Sequence, residues 1–371
     1  MANRSFLRTL ALATCAALAG CAQERIRPPE PRPADVRAQI AQLMPTKPAD
    51  RNAWAADIYV AFQSLDVEPS TQNLCATLSV IEQESNFSVD PAVPNLGKIA
   101  RAEIDKRAEA HHIPQLVVRA ALSLTSPNGK RYDERIAGAR TERDLSRVYE
   151  DMIGELPLGQ RLFADSNPVH TAGPMQVSVA FAEQFARDHT YPYATHETVR
   201  HELFSRRGGV YYGVAHLLAY PTDYPALTFR FADFNAGWYA SRNAAFQKAA
   251  SLASGIPLAL DGDLVLYDKG SELSATERAV QTLAKRLDLS NSQIHRALEQ
   301  GEEEEFGRSK VYLRVFDLAD AQAGKALPRA VLPKISLHSP KITRQLTTEW
   351  FATRVDQRYQ SCLARAAPAH K

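Results

Sequence analysis

The stretch that decides the fold is residues 81–87, Ile-Glu-Gln-Glu-Ser-Asn-Phe. Apolar residues recur before it at helical spacing from Leu74 onward, and prolines follow at Pro91 and Pro94. The spacing predicts a helix that ends within this stretch, because proline disfavours helical backbone at the residue before it and cannot continue a helix itself. Glu84 therefore stands at the end of an apolar helix, where a carboxyl group can be shielded from water.

Two shorter segments follow later in the chain, Gly-Pro-Met-Gln-Val at residues 173–177 and Phe-Asn-Ala-Gly at residues 234–237. In this order the three segments resemble the soluble lytic transglycosylases and goose-type lysozymes, which share a lysozyme-like fold. That family shows Glu-Ser-x-Phe at a helix end, then Gly-x-Met-Gln-Val/Ile, then Tyr/Phe-Asn-Ala-Gly. Within a further segment that resembles Gly-x-x-Tyr-Leu, His216 stands where the family has tyrosine. As a whole, the chain resembles an uncharacterised proteobacterial lipoprotein family of unknown function.

The resemblance implies that Glu84 is the catalytic acid of a murein lytic transglycosylase, an enzyme that cleaves the glycan strands of peptidoglycan. The acid protonates the glycosidic oxygen between N-acetylmuramic acid and N-acetylglucosamine, and a 6-hydroxyl then closes an anhydro ring. An exposed helix-end carboxylate is the structural alternative for Glu84, and Glu82 lies about 200° away round the helix. The resemblance assigns the sugar-binding groove to Ser85, Gly173, Met175, Gln176, Phe234, Asn235 and Gly237.

Two other functions stay open. A hydrolysing muramidase needs a second carboxylate, for which Asp90 and Asp233 are the nearby candidates; Asp90 is also typical of a turn before proline. A non-catalytic peptidoglycan-binding or envelope-assembly lipoprotein would keep the fold without the chemistry. The long insertion and the C-terminal region favour that alternative.

The N-terminus carries an export signal. Arg4 and Arg8 precede a short apolar run, and residues 18–21 read Leu-Ala-Gly-Cys. This box resembles the bacterial lipoprotein signal and implies a signal peptide at residues 1–20 with lipid on Cys21; an ordinary signal peptide is the alternative. Ala22 implies sorting to the outer membrane, so we expect a lipid-anchored protein that faces the periplasm. The proline-rich residues 21–47 predict a tether.

Composition excludes several other partners. The chain has 44 Lys+Arg and 42 Asp+Glu, and the signal peptide removes two arginines, so the mature charges balance. Balanced charge predicts no nucleic-acid partner. No cofactor is expected, and no metal, because His196 and His201 are one residue too far apart for the zinc motif His-Glu-x-x-His. Protein partners cannot be derived from the sequence.

Two cysteines, Cys75 and Cys362, remain after the signal and the lipid site are set aside. In an oxidising compartment an even pair predicts a disulfide, although two separate buried thiols are also compatible with the sequence.

The fold class expected is mainly α, with a lysozyme-like domain at residues 48–253 and a helical insertion at about residues 98–167. Residues 254–371 are expected to form an α+β extension packed on this domain. Alternating leucines predict a hairpin at 258–266, residues 311–316 read as a strand, and a last helix is expected from residue 339 to Cys362.

Overall fold

The computed structural model describes residues 32–45, 48, 50–158, 161, 166–266, 272–337 and 345–367. These residues are mainly α-helical, as the sequence predicts, and their strands form two antiparallel pairs of two residues each. The predicted signal peptide, the lipid site Cys21 and most of the predicted tether lie outside the described residues. Within the described part, no helix has both the length and the apolar character needed to cross a bilayer.

The elements follow one another in a simple order along the chain. The helices are α1 Pro33–Leu43, α2 Arg51–Ser64, α3 Thr71–Ser85, α4 Leu96–Ala110, α5 Gln115–Leu122, α6 Tyr132–Gly138, α7 Glu142–Gly154, α8 Val179–Asp188, α9 Val199–Leu203, α10 Arg206–Leu218, α11 Leu227–Ala236, α12 Ala240–Ser254, α13 Ala275–Thr282, α14 Ala284–Leu287, α15 Asn291–Leu298, α16 Lys310–Ala323 and α17 Thr348–Ala366. The strands are β1 Thr171–Ala172, paired with β2 Val177–Ser178, and β3 Ser336–Leu337, paired with β4 Leu346–Thr347.

The largest of the three hydrophobic cores joins both ends of the chain. It contains buried residues of α1 to α3, of α8 to α11 and of α17, and α17 packs along both α3 and α11. Phe351, Val355 and Cys362 of α17 are buried in the same cluster as Trp54 of α2. The last helix is therefore part of the domain that carries Glu84, and the expected division at residue 253 does not describe it.

The predicted tether ends before residue 47, because α1 already belongs to the folded domain. Val36, Ile40 and Leu43 are buried on one face of α1, at the i, i+4 and i+7 positions typical of an amphipathic helix. The Leu43 carbonyl also accepts a 2.9 Å hydrogen bond from Arg365 Nε of α17. The apolar spacing of these three residues is the signal that the proline-rich composition obscured.

The helical insertion predicted at residues 98–167 is present as α4 to α7, with a small core of its own that includes Val118, Tyr132 and Ile136. It contacts the main domain through polar groups as well. Glu150 of α7 lies 2.6 Å from His201 Nε2 of α9, and Arg143 forms a 3.4 Å ion pair with Asp90.

The third core is built by α12 to α16 and is helical, so the described strands of the expected α+β extension at residues 254–371 are limited to the pair β3 and β4. Residues 258–266 form no strand, and residues 311–316 belong to α16. Val311, Val315 and Ala319 are buried at helical spacing, which a six-residue window does not distinguish from a strand. Phe246 and Ala250 of α12 belong to this core. The boundary between the domain that carries Glu84 and this helical region therefore falls near residue 240.

Candidate functional site

Glu84 lies at the carboxyl end of α3, as its place in the sequence predicts. Ser70 caps the start of this helix by accepting a 3.2 Å hydrogen bond from Asn73 N. The helix ends at Asn86 and Phe87, whose φ angles of 49° and 61° both lie in the left-handed region. Such backbone costs about 1–3 kcal/mol per non-glycine residue and persists only where packing holds it. The buried Phe87 ring supplies packing by meeting Trp54 edge-to-face at 5.4 Å.

Burial raises the pKa of Glu84 to about 7, because its half-buried carboxyl loses hydration that the charged form needs. The Arg358 guanidinium opposes this shift by favouring the carboxylate. Glu82, two residues earlier, has its Oε1 3.9 Å from Arg358 Nε. Glu84 thus has the raised pKa that suits a general acid at neutral pH.

Glu84 opens into a groove of about 570 Å³. One stretch of wall is aromatic and includes Phe181, Trp238 and Phe351. Gln176 and Asn235 add amide groups beside the aromatic rings. A concave wall that combines aromatic rings with amides and carboxyl groups suits a sugar ring, which has apolar faces and a polar rim.

Asn235 and Gly237 lie in the groove at the end of α11. Asn235 is exposed, and its Oδ1 accepts a 2.9 Å hydrogen bond from Thr348 Oγ1 at the start of α17. Gly237 has φ +106°, and no atom lies within 4 Å of the place where a Cβ would stand. The adjoining Phe234 lines the groove and packs against His216, with ring centroids 4.9 Å apart.

The Gly-Pro-Met-Gln segment contributes one groove residue, Gln176. Its side-chain oxygen accepts from Thr171 Oγ1 at 3.0 Å, and its amide nitrogen donates to Gly173 O at 3.2 Å. Met175 is fully buried and fills the space left by Gly213, where a Cβ would come within 2.2 Å of its sulfur. Its assignment to sugar binding is therefore wrong.

Gly173 and Ser85 also have structural roles in place of the assigned contacts. Gly173 has φ +75°, and a Cβ there would lie 2.0 Å from Leu203 O, so glycine is required by the backbone packing beside it. The Ser85 hydroxyl donates a 3.0 Å hydrogen bond to Ile81 O within its own helix. Neither residue lines the groove.

The two carboxylates considered for a second catalytic role both lie elsewhere. Asp90 pairs with Arg143 outside the groove. Asp233 is fully buried, and its carboxylate oxygens accept from Ser241 N at 2.6 Å and from Tyr224 and Tyr220 hydroxyls at 2.8 and 3.1 Å. These partners leave Asp233 no access to substrate.

Three carboxylate residues that the sequence analysis did not select do line the groove: Asp188, Glu302 and Glu303. Arg242, buried on α12, donates hydrogen bonds to Glu303 O and Gly301 O at 2.8 and 2.7 Å and so fixes this loop. Burial, the neighbouring Glu303 and Asp263 raise the pKa of Glu302 above its ordinary value. Four consecutive glutamates at residues 302–305 are typical of a solvated surface, and no local sequence pattern places them beside Glu84.

His216 is a second groove residue with unusual chemistry. It is 8% exposed, stacks near Phe181 with centroids 4.3 Å apart, and burial lowers its pKa to about 4. Its Nδ1 is shut off from solvent and has no hydrogen-bond partner among the described residues. The imidazole is therefore neutral at physiological pH. The departure from tyrosine in the Gly-x-x-Tyr-Leu pattern was the sequence signal for this position.

The last helix contributes three residues to the site that no sequence motif predicted. Thr348 holds Asn235, Phe351 lines the groove, and Arg358 acts on Glu84. Cys362 is bonded to Cys75 of α3, with Cα atoms 5.5 Å apart. The two residues predicted to pair are thus joined in the structure, and the bond fastens α17 to the helix that ends at Glu84.

Within the described residues, no group of three or more histidine, cysteine or acidic side chains is arranged to hold a metal ion. His201 is engaged by carboxylates on both ring nitrogens, Glu150 at 2.6 Å and Glu197 at 2.8 Å.

The described part of the protein is thus mainly helical, and the half-buried carboxyl of Glu84 faces a groove that Phe351 of the last helix also lines. Residues 47–365 match the family model described as Protein of unknown function (DUF1615), and the chain belongs to that family. It is 51% identical to the Uncharacterized protein YaiW of Escherichia coli (strain K12) over 359 residues, 96% of this chain and 98% of that protein. No solved structure matches the chain.

Proposed function

We propose that the protein is a murein lytic transglycosylase with a lysozyme-like catalytic domain. It cleaves the bond between N-acetylmuramic acid and N-acetylglucosamine in peptidoglycan glycan strands. The observation that carries the proposal is Glu84, a half-buried carboxyl with its pKa raised to about 7 at the wall of a groove of about 570 Å³. A general acid works best when its pKa lies near the working pH.

In the proposed reaction, protonated Glu84 donates its proton to the glycosidic oxygen, and the bond from that oxygen to the muramoyl C1 breaks. The Glu84 carboxylate then removes the proton from the 6-hydroxyl of the same muramoyl residue. The freed oxygen bonds to C1, which closes the anhydro ring and restores the protonated acid. Asn235 and Gln176 offer amide groups to the sugar, while Trp238 and Phe181 offer aromatic faces.

The direct test compares Glu84→Gln with the wild-type chain on isolated murein sacculi, with released muropeptides read by mass spectrometry. Glutamine keeps the side-chain shape but has no proton to transfer, so anhydro-muropeptide release should fall by about 10²–10⁴-fold. Glu82→Gln is the matched control on the same helix and should retain activity. Wild-type turnover in Glu84→Gln, or loss only in Glu82→Gln, would falsify the assignment.

A hydrolysing muramidase is the second candidate, and Asp188, Glu302 and Glu303 favour it because they bring carboxylates to the groove of Glu84. The same digest distinguishes the two reactions. Hydrolysis yields reducing ends, and substitution of the responsible carboxylate by its amide should abolish them. Sacculi that are bound but left intact would indicate the non-catalytic peptidoglycan-binding lipoprotein instead.

We also propose that the mature protein is an outer-membrane lipoprotein that faces the periplasm, anchored by lipid on Cys21. The support is the Leu-Ala-Gly-Cys box after a short apolar run and the Ala22 that follows it. Cys21→Ala should release the protein from the outer-membrane fraction or block its processing. Recovery of correctly processed Cys21→Ala protein in that fraction would refute the anchor.

A further inference from the structure

The α4–α5 corner, residues 106–131 from the end of α4 through α5 to the start of α6, exposes an unusual number of large apolar side chains. Ile113, Leu116, Val117 and Leu124 are 44%, 72%, 55% and 60% exposed. They make up four of the eight exposed large hydrophobic residues in the described part of the chain. Single exposed apolar residues are ordinary on protein surfaces, but a contiguous group indicates a contact that the isolated chain does not show.

Helix α5 is apolar on two faces. Val118 and Leu122 are buried in the small core of the insertion, as expected for a surface helix. Leu116 and Val117 lie on the other side, where such a helix normally carries polar residues. Folding of the insertion therefore accounts for one apolar face and leaves the second without a partner among the described residues.

The charges of the segment that carries this face are mostly positive. Residues 106–131 contain five basic residues and a single acidic one, Glu109. Arg107 forms an ion pair with Glu103, and Arg131 forms one with Asp133. Lys106, Arg119 and Lys130, by contrast, form no ion pair with any residue that the structure describes. The exposed aliphatic face is thus accompanied by cations that are free to meet an anionic partner.

We propose that the α4–α5 corner is an interfacial contact for an anionic phospholipid surface. Aliphatic side chains enter the boundary between headgroups and acyl chains, while neighbouring cations meet lipid phosphates. Helix α5 has eight residues and lies on the bilayer without crossing it. The proposal does not depend on the chemistry of the groove, since this corner packs on a separate small core.

A lipid surface fits this face better than a protein does. Residues 106–131 include no aromatic side chain, whereas the cores of protein interfaces are enriched in aromatic residues. A symmetric pair of copies would place Arg119 and Lys130 of each chain near the same cations of the other, because a two-fold interface joins identical patches. Like charges brought together in this way repel each other, which disfavours a symmetric dimer through this face.

The test is flotation of the mature chain, residues 21–371, with vesicles, using Cys21→Ala throughout so that no acyl chain contributes. The probes are vesicles of phosphatidylglycerol with phosphatidylethanolamine, and vesicles of phosphatidylcholine alone. Leu116→Gln with Val117→Gln removes the apolar contact at two exposed positions. Leu313→Gln is the matched control, because Leu313 is 50% exposed on α16 and lies outside the corner.

The unsubstituted corner should bind the anionic vesicles, and binding should weaken in high salt. The double substitution should lower the bound fraction by about fivefold or more, since two aliphatic side chains no longer enter the interface. Leu313→Gln should bind as the parent does, and all variants should unfold at the same temperature. The proposal is overturned if the parent binds neither vesicle or if the double variant binds equally well. It is also overturned if sedimentation shows a dimer that the double substitution dissociates.

Discussion

Thr348 Oγ1 donates a 2.9 Å hydrogen bond to Asn235 Oδ1, joining the first turn of the last helix to the end of α11. Thr348 is fully buried, whereas Asn235 faces the groove. With its Oδ1 engaged, Asn235 retains the two N–H donors of Nδ2 for the sugar of the proposed reaction. Thr348, which belongs to none of the three sequence motifs, thus orients Asn235, which belongs to the Phe-Asn-Ala-Gly motif.

Replacing Thr348 by valine keeps the side-chain shape and removes this donor. The Asn235 amide then rotates more freely, and we expect kcat/KM on murein to fall by about 3–10-fold, the effect of one neutral hydrogen bond. Thr348→Ser retains the hydroxyl and should retain most of the activity. Full activity in Thr348→Val would show that this hydrogen bond does not matter for cleavage.

The pH dependence of cleavage should report Glu84. The acid must be protonated, and its pKa is about 7, so activity should fall as the pH rises through 7. Arg358 favours the carboxylate and holds that pKa down, so Arg358→Gln should move the alkaline limb to higher pH.

Arg354→Gln is the control for this shift. Arg354 lies on the same helix, but its guanidinium bonds to Gln357 Oε1 on the exposed side. Its removal should leave the pH profile unchanged. An Arg358→Gln profile that is unmoved, or that moves to lower pH, contradicts the electrostatic role given to Arg358.

His216→Phe should separate stability from function. The substitution removes a buried nitrogen that has no partner, so the free energy of unfolding should rise by about 1 kcal/mol. It also removes two ring nitrogens from the groove, so murein cleavage should fall by about tenfold through lost polar contacts with the sugar. Denaturant unfolding and muropeptide release measure the two effects. A variant that is stabilised and fully active would leave His216 a packing role alone.

The bond between Cys75 and Cys362 closes a loop with a sequence separation of 287 residues. In the chain-entropy model such a loop stabilises by about 5–6 kcal/mol, and the Cys75→Ala, Cys362→Ala protein should lose up to that much unfolding free energy. Thiol labelling of the unreduced, denatured mature protein should find neither cysteine. Two labelled thiols from these positions would show that the bond does not form in solution.

The local motifs predicted the end of α3 and the placement of Gln176, Asn235 and Gly237 in one groove. They failed where a residue type has two uses. Met175 satisfies the motif by filling the core, and Gly173 does so by permitting close backbone contact. The motif alone cannot tell a side chain that faces a ligand from one that supports the wall behind it.

Contributions from distant parts of the chain were harder to predict. Arg358 acts on Glu84, and Glu302 lines the groove, only because α17 and the loop after α15 fold back onto the main domain. No periodicity or spacing near either residue encodes that approach. The disulfide was the exception. An even number of cysteines in an oxidising compartment predicts a bond between them, however far apart they lie in the sequence.

The joining of α17 to α3 also sets an order of events during biogenesis. Residues 348–366 leave the ribosome after the other elements that line the groove, which therefore lacks one wall until they are made. A disulfide forms in an oxidising compartment, so under the proposed export the bond between the two helices is made after translocation. The fold first supplies the last wall, and the later covalent bond then holds that wall to α3.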